Sequence, residues 1–582
     1  MSLLDILRAR LLEDMIQTVR PPGKWKILVV DPTTMRILTS VLKMPDITAN
    51  DVTLVEDITR QRQPYPQKEA IYFLSPTHES VTALVDDFLG GRPAYGRAHI
   101  FFTSSLPDRL FDKIKRCPAS LIGTFKELNV DFMALESRVF TFEQPNALAK
   151  LFNPQATSVL NHELEGISKR LVNLLATIGE YPYIRFVDPA GSGGTRASLN
   201  SKFANMVQDE LEALKKLDPD FPPKSPYPPA ILLVCDRTVD AAAPLLHEFT
   251  YQAMVHDLLP AHFKGGKFMD REETAHVLDE TDDVWLKNRH RHIAEVIDDV
   301  SEGVRHFSSN NAAAAFERNA RSGQTTDKIE AMKEAMHSIP EYTEKKKRYA
   351  LHTDICTQCM DESTARGLLD LAKLEQDLIL NQTSDGNPCS LTLKDVLRIV
   401  EDPRYDHVDV IRFIMIYIIS REGIPDADRE ALLEAARLTL VETQAVTNFS
   451  MLGVRLSMSY EKRRRKAPVP VNTPFDTSRY DPAIKGILAD LADTGSDRQH
   501  MPWLTEPRNL SELGRRPGSH YGSDAGGSPS NGPRLILFVL GGITRSEMRA
   551  CYETAARLGR DILIGSTHVY HPEEYLEHVK CL

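Results

Sequence analysis

A chain of 582 residues with 42% hydrophobic and 26% charged side chains is too long for one core and has the composition of a folded protein of several domains. Its formal charge of −11 argues against a general polyanion binder, so no nucleic-acid partner is expected, and Lys462–Lys466 (KRRRK) is the one basic patch singled out. Seven scattered cysteines, an odd number, argue against a disulfide framework and for reduced thiols in the cytosol or nucleus.

Leu3 to Val19, with Asp5, Glu13 and Asp14 among its apolar residues, reads as an amphipathic helix and not as a signal peptide. Short apolar runs follow at Lys26–Asp31 (KILVVD), Val52–Ile58, Ala70–Leu74, His99–Thr103 and Ser120–Leu121. Helical stretches at Thr33–Leu42, Ser80–Phe88 and Asp108–Lys115 separate several of them. That alternation predicts a parallel sheet covered by helices, ending near residue 130. A second region, Phe132–Leu246, holds a strand at Arg138–Phe142, a long helix at Val159–Ile178 and, after the proline-rich loop Pro219–Pro229, a strong strand at Ile231–Asp236 (ILLVCD).

Beyond Pro244 the strand signals stop. Ile293, Val296, Ile297, Val300 and Val304 fall at helical spacing, as do Leu432, Leu433, Ala436 and Leu440. The longest apolar run, Ile411–Ile419, contains Arg412 and is far shorter than the ~20 residues a membrane span needs. Glu506–Pro533, rich in Gly, Ser, Pro and Arg, reads as a loop. Strand signals then return at Leu535–Leu540, followed by Gly541-Gly542, a helix over Ser546–Leu558 and a strand over Asp561–Gly565. A β-α-β unit cannot bury both faces alone, so its partner strand is expected at Ile231–Asp236. The predicted fold class is α/β plus a large, mostly helical inserted domain.

Asp31 and Asp236 place carboxylates at strand ends, where α/β enzymes bind ligands. No GxGxxG follows the first strand and no GxxxxGK[ST] occurs, so the backbone cradle for a dinucleotide or a P-loop phosphate is absent. Gly191–Gly194 (GSGG) lacks a phosphate-binding lysine and reads as a surface turn. Cys356 and Cys359 with His352 share one helical face, but without a fourth ligand they read as packing, and no metal is expected. Ser566–His568 (STH) reads as a structural turn, and no GxSxG or HExxH is present. KRRRK reads as a solvated face; its functional reading is contact with acidic lipid headgroups or an acidic helix bundle.

With no catalytic set assembled, several long blocks become decisive: WKILVVDPTTMRIL (Trp25–Leu38), AHIFFTSSLPDRLF (Ala98–Phe111), LHEFTYQAMVHDLLP (Leu246–Pro260), HRHIAEV (His290–Val296), GGITRSEMR (Gly541–Arg549) and ILIGSTH (Ile562–His568). In these blocks, and in their order over nearly the whole chain, the sequence resembles the Sec-one/Munc-eighteen (SM) family, in its exocytic, syntaxin-binding branch. The resemblance implies a three-domain arch: residues 1–130 as the syntaxin-binding α/β domain one, 131–246 with 476–582 as a discontinuous α/β domain two, and 247–475 as a mostly helical domain three. It implies a non-enzymatic SNARE-assembly chaperone without cofactors, acting in vesicle docking and fusion. Its partners would be a plasma-membrane syntaxin, a vesicle SNARE and the assembled SNARE complex. It would be cytoplasmic and peripheral at the plasma membrane and secretory-vesicle sites through these partners. The rival reading is a nucleotide- or phosphate-using α/β enzyme with a helical lid.

By the same resemblance, Asp31, Met35, Arg36, Lys43 and Glu56 match the inner face of domain one that grips syntaxin. Charges of both signs on one face would set register and orientation there. Phe111 and Glu127 match a pocket for a syntaxin amino-terminal peptide. Phe307–Tyr349 matches a helical hairpin on which SNAREs align, with Pro340 as its hinge and Ala312–Ala315 as a strong helix former within it.

Overall fold

The computed structural model describes residues 2–89, 92–188, 198–264, 266–310, 328–458, 474–492, 500–507 and 532–582, with the backbone alone at 307–310 and 328–342. The expectations for Lys462–Lys466, Gly191–Gly194, Ala312–Ala315 and most of the Glu506–Pro533 loop lie outside the described residues.

The first apolar runs form one parallel sheet, β1 (Lys26–Val30), β2 (Val52–Asp57), β3 (Tyr65–Leu74), β4 (Tyr95–Phe102) and β5 (Ile122–Glu127), in the order β2-β1-β3-β4-β5. Every residue of β1 is buried, because helices cover both faces of the sheet. Leu28 and Val30 join Ile37 and Leu38 in one cluster, while Ile27 and Val29 join Val81 and Leu84 in another. Ser120–Leu121 differs from expectation. It falls in a 3-10 turn, Ala119–Leu121, and the strand begins at Ile122. Along β5 half-buried and exposed residues alternate, so no continuous apolar run marks this outermost strand.

The second sheet begins with β6 (Met133–Glu136), β7 (Val139–Thr141), β8 (Tyr183–Phe186) and β9 (Ile231–Asp236). The chain then departs into residues 240–483, where a small antiparallel sheet, β10 (Phe263–Lys264), β11 (Lys267–Met269) and β12 (Ala275–His276), accompanies many helices. These strands of two or three residues are too short to show a period. The chain returns as β13 (Leu535–Leu540) and β14 (Ile562–Ser566), completing the order β6-β7-β14-β13-β9-β8. β13 lies between β14 and β9, parallel to both, and pairs from Leu535↔Ile231 to Leu540↔Asp236. The closing segment therefore finds its partner at Ile231–Asp236.

Two compact units result. The first comprises 1–239, 484–543 and 551–569; the second comprises 240–483, 544–550 and 570–582. The first holds both sheets, and one apolar cluster runs between them, with Leu7, Leu11, Val30, Phe73, Phe140 and Phe538 all buried. The amino-terminal helix Leu3–Glu13 supplies Leu3, Leu7 and Leu11 to that cluster. Each such side chain contributes roughly 1.5–3 kcal/mol of burial.

In the second unit, the apolar run around Arg412 is the buried helix His407–Ser420. Arg412 makes a bidentate pair with Asp257 at 3.0 and 2.9 Å and donates to the Leu245 carbonyl at 2.7 Å. Beside it His247 bridges Glu375 at 2.8 Å and Asp409 at 3.1 Å, and Arg366 meets Asp409 at 2.6 Å. Removing one member would strand a buried charge, at a cost of about 3–5 kcal/mol.

Two stability measurements follow from this packing. A Cβ at Gly565 of β14 would sit 2.0 Å from the Phe140 ring, whereas one at Gly486, in the helix Ala483–Ala492, would meet nothing within 4 Å. Urea unfolding of Gly565→Ala is expected to show a loss of about 1–3 kcal/mol from overpacking. Gly486→Ala is expected to gain up to about 1 kcal/mol of helix propensity.

The second concerns His292, stacked 3.8 Å from Phe475 and bonded to Thr477 at 3.1 Å; burial lowers its pKa from 6.5 to about 4. The unfolded chain takes up this proton first, so stability is full above pH 6.5 and declines as pH falls from 6.5 towards 4. His292→Phe is expected to flatten that slope in pH-dependent denaturation.

Candidate partner-binding site

Asp31 ends β1 and caps the helix Pro32–Val41, whose first position is Pro32, with φ preset for a helix start. Its carboxylate accepts from the Thr34 amide at 2.8 Å, the Ser75 amide at 2.6 Å and the Ser80 hydroxyl at 2.9 Å. At 3% exposure Asp31 ties together the ends of β1 and β3 and does not reach the surface, unlike the surface contact expected of it. Asp236, at the end of β9, is also buried and accepts from the Thr238 amide at 2.9 Å. Asp31 is thus held by the helix it caps and by residues beyond β3, and Asp236 by its own turn.

Met35 and Arg36 follow on the same helix. Met35 is half-buried against the shared cluster, and Arg36 is exposed and paired with Glu143. Burial pushes the Glu143 carboxyl upward, against the pull of Arg36. Lys43 is exposed at the start of the short helix Met44–Thr48, where its amide donates to Asp46 at 2.9 Å. The Arg8 guanidinium, bidentate at 3.0 and 2.7 Å, holds the Asp46 carboxyl down at about 2.

Glu56 stands apart. On β2 it pairs in register with Val29, and parallel partners project to the same side of a sheet. Val29 belongs to the cluster beneath the helix His78–Leu89. Glu56 accepts from the Tyr95 hydroxyl there, next to the bidentate Arg62–Asp87 pair at 3.0 and 3.1 Å. The structure therefore brings Met35, Arg36 and Lys43 to one side of the first sheet and Glu56 to the other.

Phe111, on the helix Asp108–Ile114, is 37% exposed and meets the 38% exposed Phe125 of β5 edge to face, with centroids 5.3 Å apart. The Lys115 ammonium lies 4.7 Å from the Phe111 ring. Glu127 ends the same strand, exposed, and accepts from the Leu106 amide at 2.7 Å. Two accessible rings flanked by a cation and a carboxylate form a surface suited to an aliphatic anchor carrying an adjacent charge. Sequence reasoning missed Phe125. Its signal was an aromatic at an outward position of an alternating strand.

In the second unit, helices Ile293–Asn310 and Lys328–Ala365 pack together. Gly303 permits the approach, since a Cβ there would lie 2.6 Å from the Tyr349 ring. Pro340 sits inside the helix Lys328–Ala365, whose backbone runs through it. Cys356 and Cys359 are buried on this helix, where burial pushes the Cys356 thiol up to about 12 and the Cys359 thiol higher still. His352 is bonded to Tyr251 at 2.8 Å and to Asp282 at 3.1 Å. This is packing chemistry, as the sequence suggested, with protonated thiols and an oriented imidazole.

The Sec1 family's sequence pattern matches residues 26–578. The protein transport protein sec1 of Dictyostelium discoideum is 32% identical over all of this chain and 99% of its own length. The SNARE-interacting protein KEULE of Arabidopsis thaliana is 28% identical over 99% of this chain and 95% of its own. Unc18, in the crystal structure of its complex with syntaxin 1 from Monosiga brevicollis, superposes with a TM-score of 0.84 at 26% identity, covering 100% of this chain and 99% of that one. The chain belongs to the Sec1 family. The fold is that of Unc18, with a parallel first sheet, a mixed second sheet and a largely helical remainder.

The buried place of Asp31 yields a test that separates scaffold from contact. Asp31→Ala is expected to cost about 1–2 kcal/mol in urea unfolding, the range for a lost cap. The affinity of the folded fraction for a partner is expected to stay unchanged, whereas Lys43→Glu is expected to change affinity and leave stability within about 0.5 kcal/mol.

Proposed function

We propose that this chain is a SNARE-assembly chaperone that binds a syntaxin-type SNARE and the assembling SNARE complex, and thereby promotes vesicle docking and fusion. The observation that carries the reading is the full-length agreement with Unc18 as captured with syntaxin 1. Relatives named for protein transport and for SNARE interaction support it. In this reading Met35, Arg36 and Lys43 form the contact on one side of the first sheet, Glu56 adds a separate contact at the β2 edge, and Asp31 serves the scaffold as the cap of the helix that carries Met35 and Arg36. Phe111, with Phe125 and Glu127, seats the syntaxin amino-terminal peptide. The functional division is 1–130, 131–246 with 476–582, and 247–475.

The hairpin of 307–349 serves as the SNARE-aligning element, with Pro340 as its hinge. Proline removes one backbone donor from the helix and costs about 3 kcal/mol in a helix interior, which suits an element with two accessible shapes.

The chain works by binding and not by catalysis. The support is chemical: the strand-end carboxylates are taken up by backbone amides, Asp31 by that of Ser75 and Asp236 by that of Thr238, and buried thiols remain protonated. No helix among the described residues is long and apolar enough to cross a membrane. The chain reaches the plasma membrane and secretory vesicles through its partners.

Titration calorimetry with a syntaxin cytosolic region, with and without its amino-terminal peptide, tests the assignment. Phe111→Ala with Phe125→Ala is expected to weaken binding about tenfold, the equivalent of ~1.4 kcal/mol, when the peptide is present, and to leave binding of the peptide-less syntaxin unchanged. An equal effect on both forms would remove the peptide from this pocket.

A further inference from the structure

A second recess of the first unit faces away from the strand-end loops of the first sheet. It lies at the amino end of β1, has a volume of about 400 Å³, and is lined by Gln17, Arg20, Lys24, Lys26, Asn50 and Asp51 among others. That volume falls within the range of small-molecule sites. None of these residues belongs to the surfaces assigned above.

Lys26 is 4% exposed, and its ammonium donates to the carbonyls of Ile16 at 2.6 Å and Val19 at 2.7 Å. An ammonium has three N–H donors, so one remains for the recess that Lys26 lines. Arg20 is exposed, and its Nε donates to the Gln17 carbonyl at 3.3 Å. Its two terminal nitrogens have no protein partner among the described residues. Lys24 reaches Asp51 at 3.4 Å across the recess, leaving three cations facing one carboxylate.

The walls are also preset. Lys24 and Asp51 hold φ of 65° and 64°, a left-handed conformation that surrounding contacts must maintain in residues with a Cβ. At the rim stands Trp25, 39% exposed, with the Lys24 ammonium 5.5 Å from its ring. An exposed tryptophan beside cations suits the boundary between water and a lipid headgroup layer.

We propose that this recess binds a phosphomonoester group, carried by an inositol lipid headgroup or by a soluble inositol phosphate. The excess of two positive charges matches the −1.5 to −2 of a phosphomonoester near pH 7. The Arg20 guanidinium offers the forked donors that phosphate oxygens accept, and the remaining Lys26 donor closes the floor. In a chain of net charge −11 such a site gives local attraction to an anionic surface without general polyanion binding. The inference goes beyond the syntaxin reading and does not depend on it.

The test uses the whole chain. Inositol trisphosphate is titrated in by calorimetry and followed by tryptophan fluorescence, and co-sedimentation is measured with phosphatidylcholine vesicles with and without phosphatidylinositol bisphosphate. Saturable binding is expected, with a fluorescence change that Trp25→Phe removes. Arg20→Glu, at an exposed position that leaves the fold intact, is expected to weaken binding about tenfold or more. Lys26→Met is expected to abolish it, but removes the donor to Ile16 and Val19, so Arg20→Glu is the deciding variant. Arg20-dependent capture on the bisphosphate vesicles assigns the lipid as the source; Arg20-dependent binding of the soluble ligand alone assigns a free inositol phosphate. No binding of either probe, or equal binding by wild type and Arg20→Glu, overturns the proposal.

Discussion

The strand Leu535–Leu540 lies in the interior of a sheet whose strands β6 to β9 lie about three to four hundred residues earlier in the chain, with only β14 following it. Paired in parallel on both sides and buried at every residue, it leaves no backbone donor or acceptor of the sheet's middle to water. Until it arrives, β9 carries an open apolar edge and Phe140, Phe142 and Phe203 lack Phe538, the ring against which they pack at 5.3–6.1 Å. Everything between Asp240 and Ala483 is thus tethered at both ends to a sheet that closes only when the last segment docks. Gly565 is part of the same constraint, because β14 passes so close to Phe140 that a methyl group would not fit.

Around that frame, several buried polar groups are answered by partners distant in the chain. Asp31 accepts from the Thr34 and Ser75 amides and the Ser80 hydroxyl, Arg412 pairs with Asp257 from a helix that also buries Asp409, and burial keeps Cys356 a thiol. Such bonded networks build a rigid scaffold. What remains exposed is of another kind: the Phe111–Phe125 rings, the Arg36 and Lys43 charges, and the cationic recess at Lys26. The proposed contacts draw on these features.

Much of the architecture was legible in the chain because its central strands are buried on both faces. KILVVD, ILLVCD and LILFVL are continuous apolar runs, and each became a strand within one residue of its expected bounds. β5 was misplaced because an outermost strand alternates, and β10–β12 were invisible because two or three residues carry no period. The site was less legible. Asp31 and Glu56 are both carboxylates expected on one face, and nothing local in the sequence says that one faces inward to the Thr34, Ser75 and Ser80 donors and the other projects across the sheet from Met35. The partner of Arg36, Glu143, is 107 residues away. Phe125 became visible as a site residue only when the helix Asp108–Ile114 placed Phe111 against it.

In the proposed reading, a syntaxin is held on the first sheet and on the Phe111–Phe125 surface. Hydrogen–deuterium exchange of the whole chain with and without a syntaxin cytosolic region tests it most directly. Slower exchange is expected in Pro32–Val41, Met44–Thr48 and Asp108–Glu127 on binding, with no change in the second sheet's interior strands β9 and β13. Bound syntaxin that leaves residues 26–127 unprotected would contradict it.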